Sequence, residues 1–204
     1  MWALVEDNTI TKIINKPKAM VINDVRHSKN IFSFRWTNEE REAIGIYEVV
    51  FDNSNKKDEE YYINTNQSFN FADGQVTASY GTATPKLLED RNEVDDAGEP
   101  LLDDNGNQIV TKGLKSQKKD IIKNQASGLL APTDWYVVKA SEVTDYSVPS
   151  NITTFRADVR AKSNEMETQI DACTNVDELK ALYEYTRQED GTQTRPLAEF
   201  PEEI

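Results

Sequence analysis

One histidine, one cysteine and thirty-six acidic residues are the groups with which this chain could perform acid–base, nucleophilic or metal chemistry. Any histidine-based triad would have to use His27, which lies among Arg26, Ser28 and Lys29 in a segment that reads as a polar, solvated loop. Cys173 stands alone, so the sequence offers no intrachain disulfide and no multi-cysteine metal site. Its apolar neighbours Ile170, Val176 and Leu179 predict a small buried thiol, not a nucleophile. The densest acids surround Asp104-Asn105-Gly106-Asn107. An EF-hand loop needs glycine at position six, an oxygen ligand at position one and glutamate at position twelve. With Gly106 at six, those places fall on Leu101 and Lys112, and neither fits. A looser cation site among Asp95, Asp96, Asp103 and Asp104 competes with a solvated turn, and the turn is the expected outcome. No nucleophile elbow, phosphate-binding loop or dinucleotide fingerprint occurs. The sequence therefore predicts a chain that is not an enzyme, with no catalytic residue, no cofactor and no metal.

Charge is segregated along the chain. Its net value is −13, yet residues 111–131 carry five lysines against a single aspartate. Lys115, Lys118, Lys119 and Lys123 are the candidate interaction residues, matched to the acidic stretch or to a neighbouring subunit. A solvated helix face is the plainer alternative. No aromatic residue lies between Gly113 and Leu130, as a base-stacking platform would require. The acidic total repels phosphates and anionic headgroups, so neither nucleic acid nor membrane is expected as a partner. No apolar run approaches the ~18 residues of a membrane helix. The opening Met1-Trp2-Ala3-Leu4-Val5 is strand-like and lacks a signal-peptide layout, which predicts a soluble protein made in a reducing cytoplasm.

The elements that must position these residues give an α+β chain. A β-rich domain with one short helix, a small β-meander, is expected over residues 1–85. Asp7-Asn8 and Asp73-Gly74 are turn signals between alternating segments. Thr37-Asn38-Glu39-Glu40 has the spacing of a capping box, and Gly45 stands where a left-handed stop would end the helix it opens. A strand is expected from Tyr61 to Phe71. Residues 86–112 read as an acidic linker with one hairpin, too poor in apolar groups to pack further. A helical domain follows over residues 113–195. In it, Leu114, Ile121, Ile122 and Leu129 form one helix face with lysines on the other, and Pro132 stops that helix. Ile152, Phe155, Val159, Met166 and Ile170 form a second apolar stripe. Residues 196–204 are expected to be a loose tail.

The stretch Leu129-Leu130-Ala131-Pro132-Thr133-Asp134-Trp135-Tyr136-Val137-Val138-Lys139-Ala140 resembles the "LL-x-x-TDW-x-x-x-R/K-A" signature of phage tail-fibre assembly and related tail-associated proteins. Val148-Pro149-Ser150 and Thr154-Phe155-Arg156-Ala157-Asp158-Val159-Arg160 look like the loop and helix that follow it there, with Phe155 in place of the usual tyrosine. The opening Trp2-Ala3-Leu4-Val5-Glu6-Asp7-Asn8-Thr9-Ile10 is similar to a "W-A-x-V-E-N-N-x-I" start found in such proteins. The likeness covers about half the chain. It implies a non-catalytic virion structural protein of the tail or tail-fibre apparatus, made in the host cytoplasm and docking other tail or fibre proteins, with homo-oligomerisation as a further option. The alternative it implies is a fibre-assembly chaperone absent from the mature particle. Thr133, Asp134 and Trp135 are then a structural motif. Thr133 or Asp134 should cap a helix, and Trp135 should fill the space against the Ile152–Ile170 stripe.

Overall fold

Turn-forming and β-branched residues alternate closely through the first part of the chain, and in the computed structural model they fold as one curled sheet. The structure describes residues 1–65 and 67–203. Asn66, inside the expected strand Tyr61–Phe71, and Ile204, in the expected tail, lie outside them. The chain divides into two compact units, residues 1–84 and 85–204.

The first unit contains β1 (Trp2–Glu6), β2 (Thr9–Ile14), β3 (Met20–Ile22), β4 (Val25–His27), α1 (Asn38–Glu42), β5 (Ile46–Asp52), β6 (Tyr62–Ile63), β7 (Ser68–Ala72) and β8 (Gln75–Ser79), with β9 (Thr84–Pro85) at its boundary. Three two-residue hairpins turn at Asp7-Asn8, Asn23-Asp24 and Asp73-Gly74. Their six central residues all have positive φ, from 48° to 73°, as the type I′ turn demands. The sheet order is β2-β1-β5-β8-β7. It departs from a simple meander once, where β5 and β8 run parallel, and it curls until its edge strands β2 and β7 meet. Alternation along β1 sends Ala3 and Val5 to one face, with Val49, Val76 and Ala78. Leu4 goes to the other face, where Met20, Ile22, Ile31 and Phe32 cover Ile14 and Ile46. The capping box is present in full: the Thr37 amide donates to Glu40 Oε2 at 2.8 Å and the Glu40 amide donates to Thr37 Oγ1 at 3.2 Å. Gly45 ends the helix at φ +83°, and a Cβ there would lie 2.7 Å from the Val5 carbonyl oxygen. The expected strand Tyr61–Phe71 is instead two strands, β6 and β7.

The second unit begins with the acidic stretch, which is not a bare linker. Its outer strands β10 (Arg91–Asn92) and β11 (Val110–Thr111) pair antiparallel. Between them are two turns of the same design, eight residues apart. The Gly98 amide donates to the Asp95 carbonyl, and the Gly106 amide donates to the Asp103 carbonyl. Asp95 Oδ1 accepts from the amides of Ala97 and Glu99, and Asp103 Oδ1 from those of Asn105 and Asn107. The corners close into a ring: Leu101 N–H donates to Glu93, Ile109 to Leu101, and Glu93 to Ile109, at 2.8–2.9 Å. Gln108 Nε2 sits against all three carbonyls, 2.7 Å from Glu93, 3.1 Å from Leu101 and 2.9 Å from Ile109. Backbone and one amide hold what apolar area does not, which is why composition misled.

The helices are α2 (Leu114–Leu130), α3 (Asp134–Glu142), α4 (Ser150–Ala172) and α5 (Val176–Ala181), followed by β12 (Thr186–Arg187) and β13 (Gln193–Thr194). The acidic stretch caps α2. The amides of Leu114 and Lys115 donate to the carbonyls of Leu87 and Leu88, and the Gly113 amide to Asp90 Oδ1 at 2.8 Å. That bond holds the Asp90 carboxyl below its ordinary pKa, with the Ser116 hydroxyl adding to the effect. Every member of the expected α4 stripe is buried. The expected α2 face is corrected: Leu114 and Ile122 are buried, but Ile121 is exposed, and the buried row runs Leu114, Lys118, Ile122, Ala126 at four-residue steps. The tail is corrected too. The Leu197 amide donates to Leu182, the Ala198 amide donates to Gln169 Oε1, Leu197 is buried, and Phe200 packs on Phe155 and Val159.

Candidate docking site

Pro132 lacks the amide that an α-helix needs, so α2 gives way to a 3-10 turn over Ala131–Thr133. The freed carbonyl of Leu130 is taken twice, by Thr133 Oγ1 at 2.7 Å and by Arg156 Nη1 at 3.0 Å. Arg156 reaches from α4, its side chain otherwise lost in the core at 9% exposure. The same guanidinium donates to Thr133 Oγ1 at 2.5 Å and pairs with Asp134 Oδ1 at 2.8 Å. The expected role of Thr133 and Asp134 changes accordingly. Neither side chain caps α3; both are grips for Arg156, a planar fork suited to several acceptors at once.

The grip fixes the root of α3, and α3 itself buries none of its residues. Trp135 is 52% exposed, so its expected place against the Ile152–Ile170 stripe is overturned. Val137 and Val138 are exposed beside it. The Trp135 and Tyr136 rings lie 3.8 Å apart by centroid, and the Lys139 ammonium sits 4.3 Å from the Tyr146 ring and 5.9 Å from Trp135. A rooted helix thus displays two aromatics, two valines and a cation. Four consecutive apolar residues from Trp135 to Val138 go all the way around a helix, so they cannot all face one core; that was the missed sequence signal.

No protein-family model matches this chain, nor does any curated protein or solved structure.

The other candidate residues lie elsewhere. All four candidate lysines find partners within the chain itself: Lys115 is buried and reaches Glu89 Oε1 at 2.5 Å and the Asp171 carbonyl at 3.0 Å. Lys118 is buried with its ammonium 4.3 Å from the Tyr183 ring. Lys119 and the exposed Lys123 pair with Asp171 and Glu167 of α4, at 2.7 and 3.3 Å. This ladder runs α2 antiparallel to α4 and occupies the lysines within the second unit. The long stems pack while the charged ends find partners.

His27 meets Trp36 edge-on, ring centroids 6.4 Å apart. Cys173 is buried, and desolvation pushes its thiol above the ordinary pKa, which disfavours the thiolate a nucleophile needs. Among the described residues no three histidine, cysteine, aspartate or glutamate side chains come together as a metal-binding group. The carboxylates of Asp95 and Asp103 are spent on their own turn amides. An open cleft of about 660 Å³ in the first unit is lined by Glu6, Asp7, Thr9, Thr11, Asn23 and Gly45. Glu6 in it accepts from Thr11 Oγ1 at 2.7 Å. Among the described residues no helix is long and apolar enough to cross a membrane.

Proposed function

We propose that this chain is a non-catalytic structural protein of a phage tail or tail-fibre apparatus and works by docking other proteins of that apparatus. The observation that carries the reading is α3: a helix rooted by Arg156 that presents Trp135, Val137 and Val138 to solvent and buries nothing of its own. Aromatic residues held on a rigid base are the kind of anchor that supplies most of the energy of a protein interface. The Thr-Asp-Trp likeness supplies the biological setting, since α3 is the segment that carries it.

The test compares purified particles with infected-cell lysate by quantitative mass spectrometry. A fixed ratio to a known tail protein is the expected result, and Trp135→Ala together with Val138→Asp should lower that ratio without unfolding the chain. A chain abundant in lysate and missing from particles would replace this reading with the assembly chaperone. Absence of any effect from the α3 substitutions would remove the helix as the docking element.

A further inference from the structure

In a chain with a net charge of −13, the layer covering one face of the first unit's sheet is basic. From residue 12 to residue 35 the chain carries six lysines and arginines against one acid, Asp24. All six, from Lys12 to Arg35, are exposed, and among the described residues none of them has an ion pair. The layer is also unusually apolar outward. Val21, directly opposite Arg26 in the β3–β4 hairpin, points away from the core that Met20 and Ile22 enter. Phe34 is 95% exposed.

The loop that holds Phe34 out is stiff. Arg41 Nη1 donates to the carbonyls of Ile31, Ser33 and Trp36 at 2.9–3.4 Å. Ser33 Oγ donates to the Asn30 carbonyl at 2.7 Å and accepts from the Arg35 amide. The capping box at Thr37 fixes the exit. An aromatic with its backbone fixed on both sides loses little entropy on contact, which makes it a poor solvent group and a good anchor.

The second unit carries the opposite surface. On the two turns of the acidic stretch Asp95, Asp96, Glu99, Asp103 and Asp104 are exposed. Val94 and Leu102 stand beside them, also exposed. Among the described residues no lysine or arginine pairs with these five acids. Each surface mixes charge of one sign with exposed apolar groups.

We propose that the basic layer around Phe34 docks the acidic double turn of a second copy of this chain. The contact joins two different patches, so it is head-to-tail, and repetition builds a ring or a filament according to the angle. Opposite charge supplies the encounter and register; Phe34 against Val94 and Leu102 supplies the buried area. The inference does not need the tail reading: it concerns self-association, which is measured without particles.

The experiment is sedimentation velocity of the full chain across protein concentration, at roughly 50 mM and roughly 500 mM salt, where surface charge is progressively screened. Concentration-dependent association at low salt that disappears at high salt is expected. Arg26→Glu with Arg35→Glu, and separately Asp96→Lys with Asp104→Lys, should each weaken it by about tenfold or more, and Phe34→Ala by a similar factor. All sites are exposed, so circular dichroism and melting should stay unchanged. The decisive arm mixes the two charge-reversed variants: neither associates alone, and the mixture does, because one contributes an intact acidic turn and the other an intact basic layer. A chain that stays monomeric at every concentration, or an association indifferent to these substitutions, overturns the proposal. So does binding of a duplex DNA probe by the basic layer without self-association, which would assign the layer to a polyanion.

Discussion

Truncating Arg156 and truncating Trp135 should have very unequal consequences for the stability of the second unit. Arg156→Ala leaves the Leu130 carbonyl, the Thr133 hydroxyl and the Asp134 carboxylate without their shared donor, at a cost of about 2–3 kcal/mol. Arg156→Lys should recover only part of that, since an ammonium cannot span three acceptors in one plane. Trp135→Ala should change stability by less than about 1 kcal/mol, because half of the ring is already in water. Denaturant unfolding measures all three, and a large loss for Trp135→Ala would put that ring back in a core. From sequence alone the tryptophan looks like the core residue and the arginine like surface. The reversal is invisible because the 3-10 turn over Ala131–Thr133, by diverting the Asp134 amide to the Ala131 carbonyl, leaves the Leu130 carbonyl beside α4 for Arg156 to satisfy.

At the scale of elements, two glycines on α2 make contrasting predictions. A Cβ at Gly113 would lie 2.4 Å from the backbone of Glu89, whereas one at Gly128 meets nothing within 4 Å. Gly113→Ala should therefore destabilise the second unit by about 1–3 kcal/mol, and Gly128→Ala should stabilise it by about 0.5–1 kcal/mol. Thermal melts of the two variants decide this. The cap at the same helix end is titratable. Because the Asp90 carboxyl is lowered in the folded chain, its contribution is full above the unfolded value of about 3.9 and is lost as pH falls through the lower folded value. Asp90→Asn should flatten the acid limb of a stability-versus-pH curve, and an unchanged limb would remove Asp90 as its source. Local signals with a mechanism were legible here: the Thr37–Glu40 box, the stop at Gly45, the turn at Asp73-Gly74 and the α4 stripe. The α2 face was not, because a lysine stem packs like an apolar chain while its letter reads as solvent-facing.

Each unit of the whole molecule has its own buried cluster, the first around Ile14 and Ile46 and the second around Phe155 and Val159. Residues 1–84 and 85–204, expressed separately, should each melt cooperatively; a piece that remains unfolded by circular dichroism contradicts this. The second unit needs its last residues. Leu197→Ala should cost it about 2–4 kcal/mol, a loss that a loose tail would not produce and that denaturant titration would register. The change at Pro85 from a turn-rich β pattern to an acidic one falls within a residue of the boundary between the two units, but the stretches expected as a separate linker (86–112) and a loose tail (196–204) both belong to the second unit. The order within the acidic stretch was not legible, because it rests on backbone bonds between residues eight apart and not on any apolar period.

That eight-residue spacing sets a rule for how this protein can change in length. Glu93, Leu101 and Ile109 close on one another, and a single glutamine amide reaches all three carbonyls. A duplicated copy of residues 93–100 would widen the ring beyond the reach of that amide, and a deleted copy would leave no ring to fill. Surface loops ordinarily tolerate such gains and losses; this acidic loop, for all its resemblance to a spacer, should admit point changes and refuse insertions.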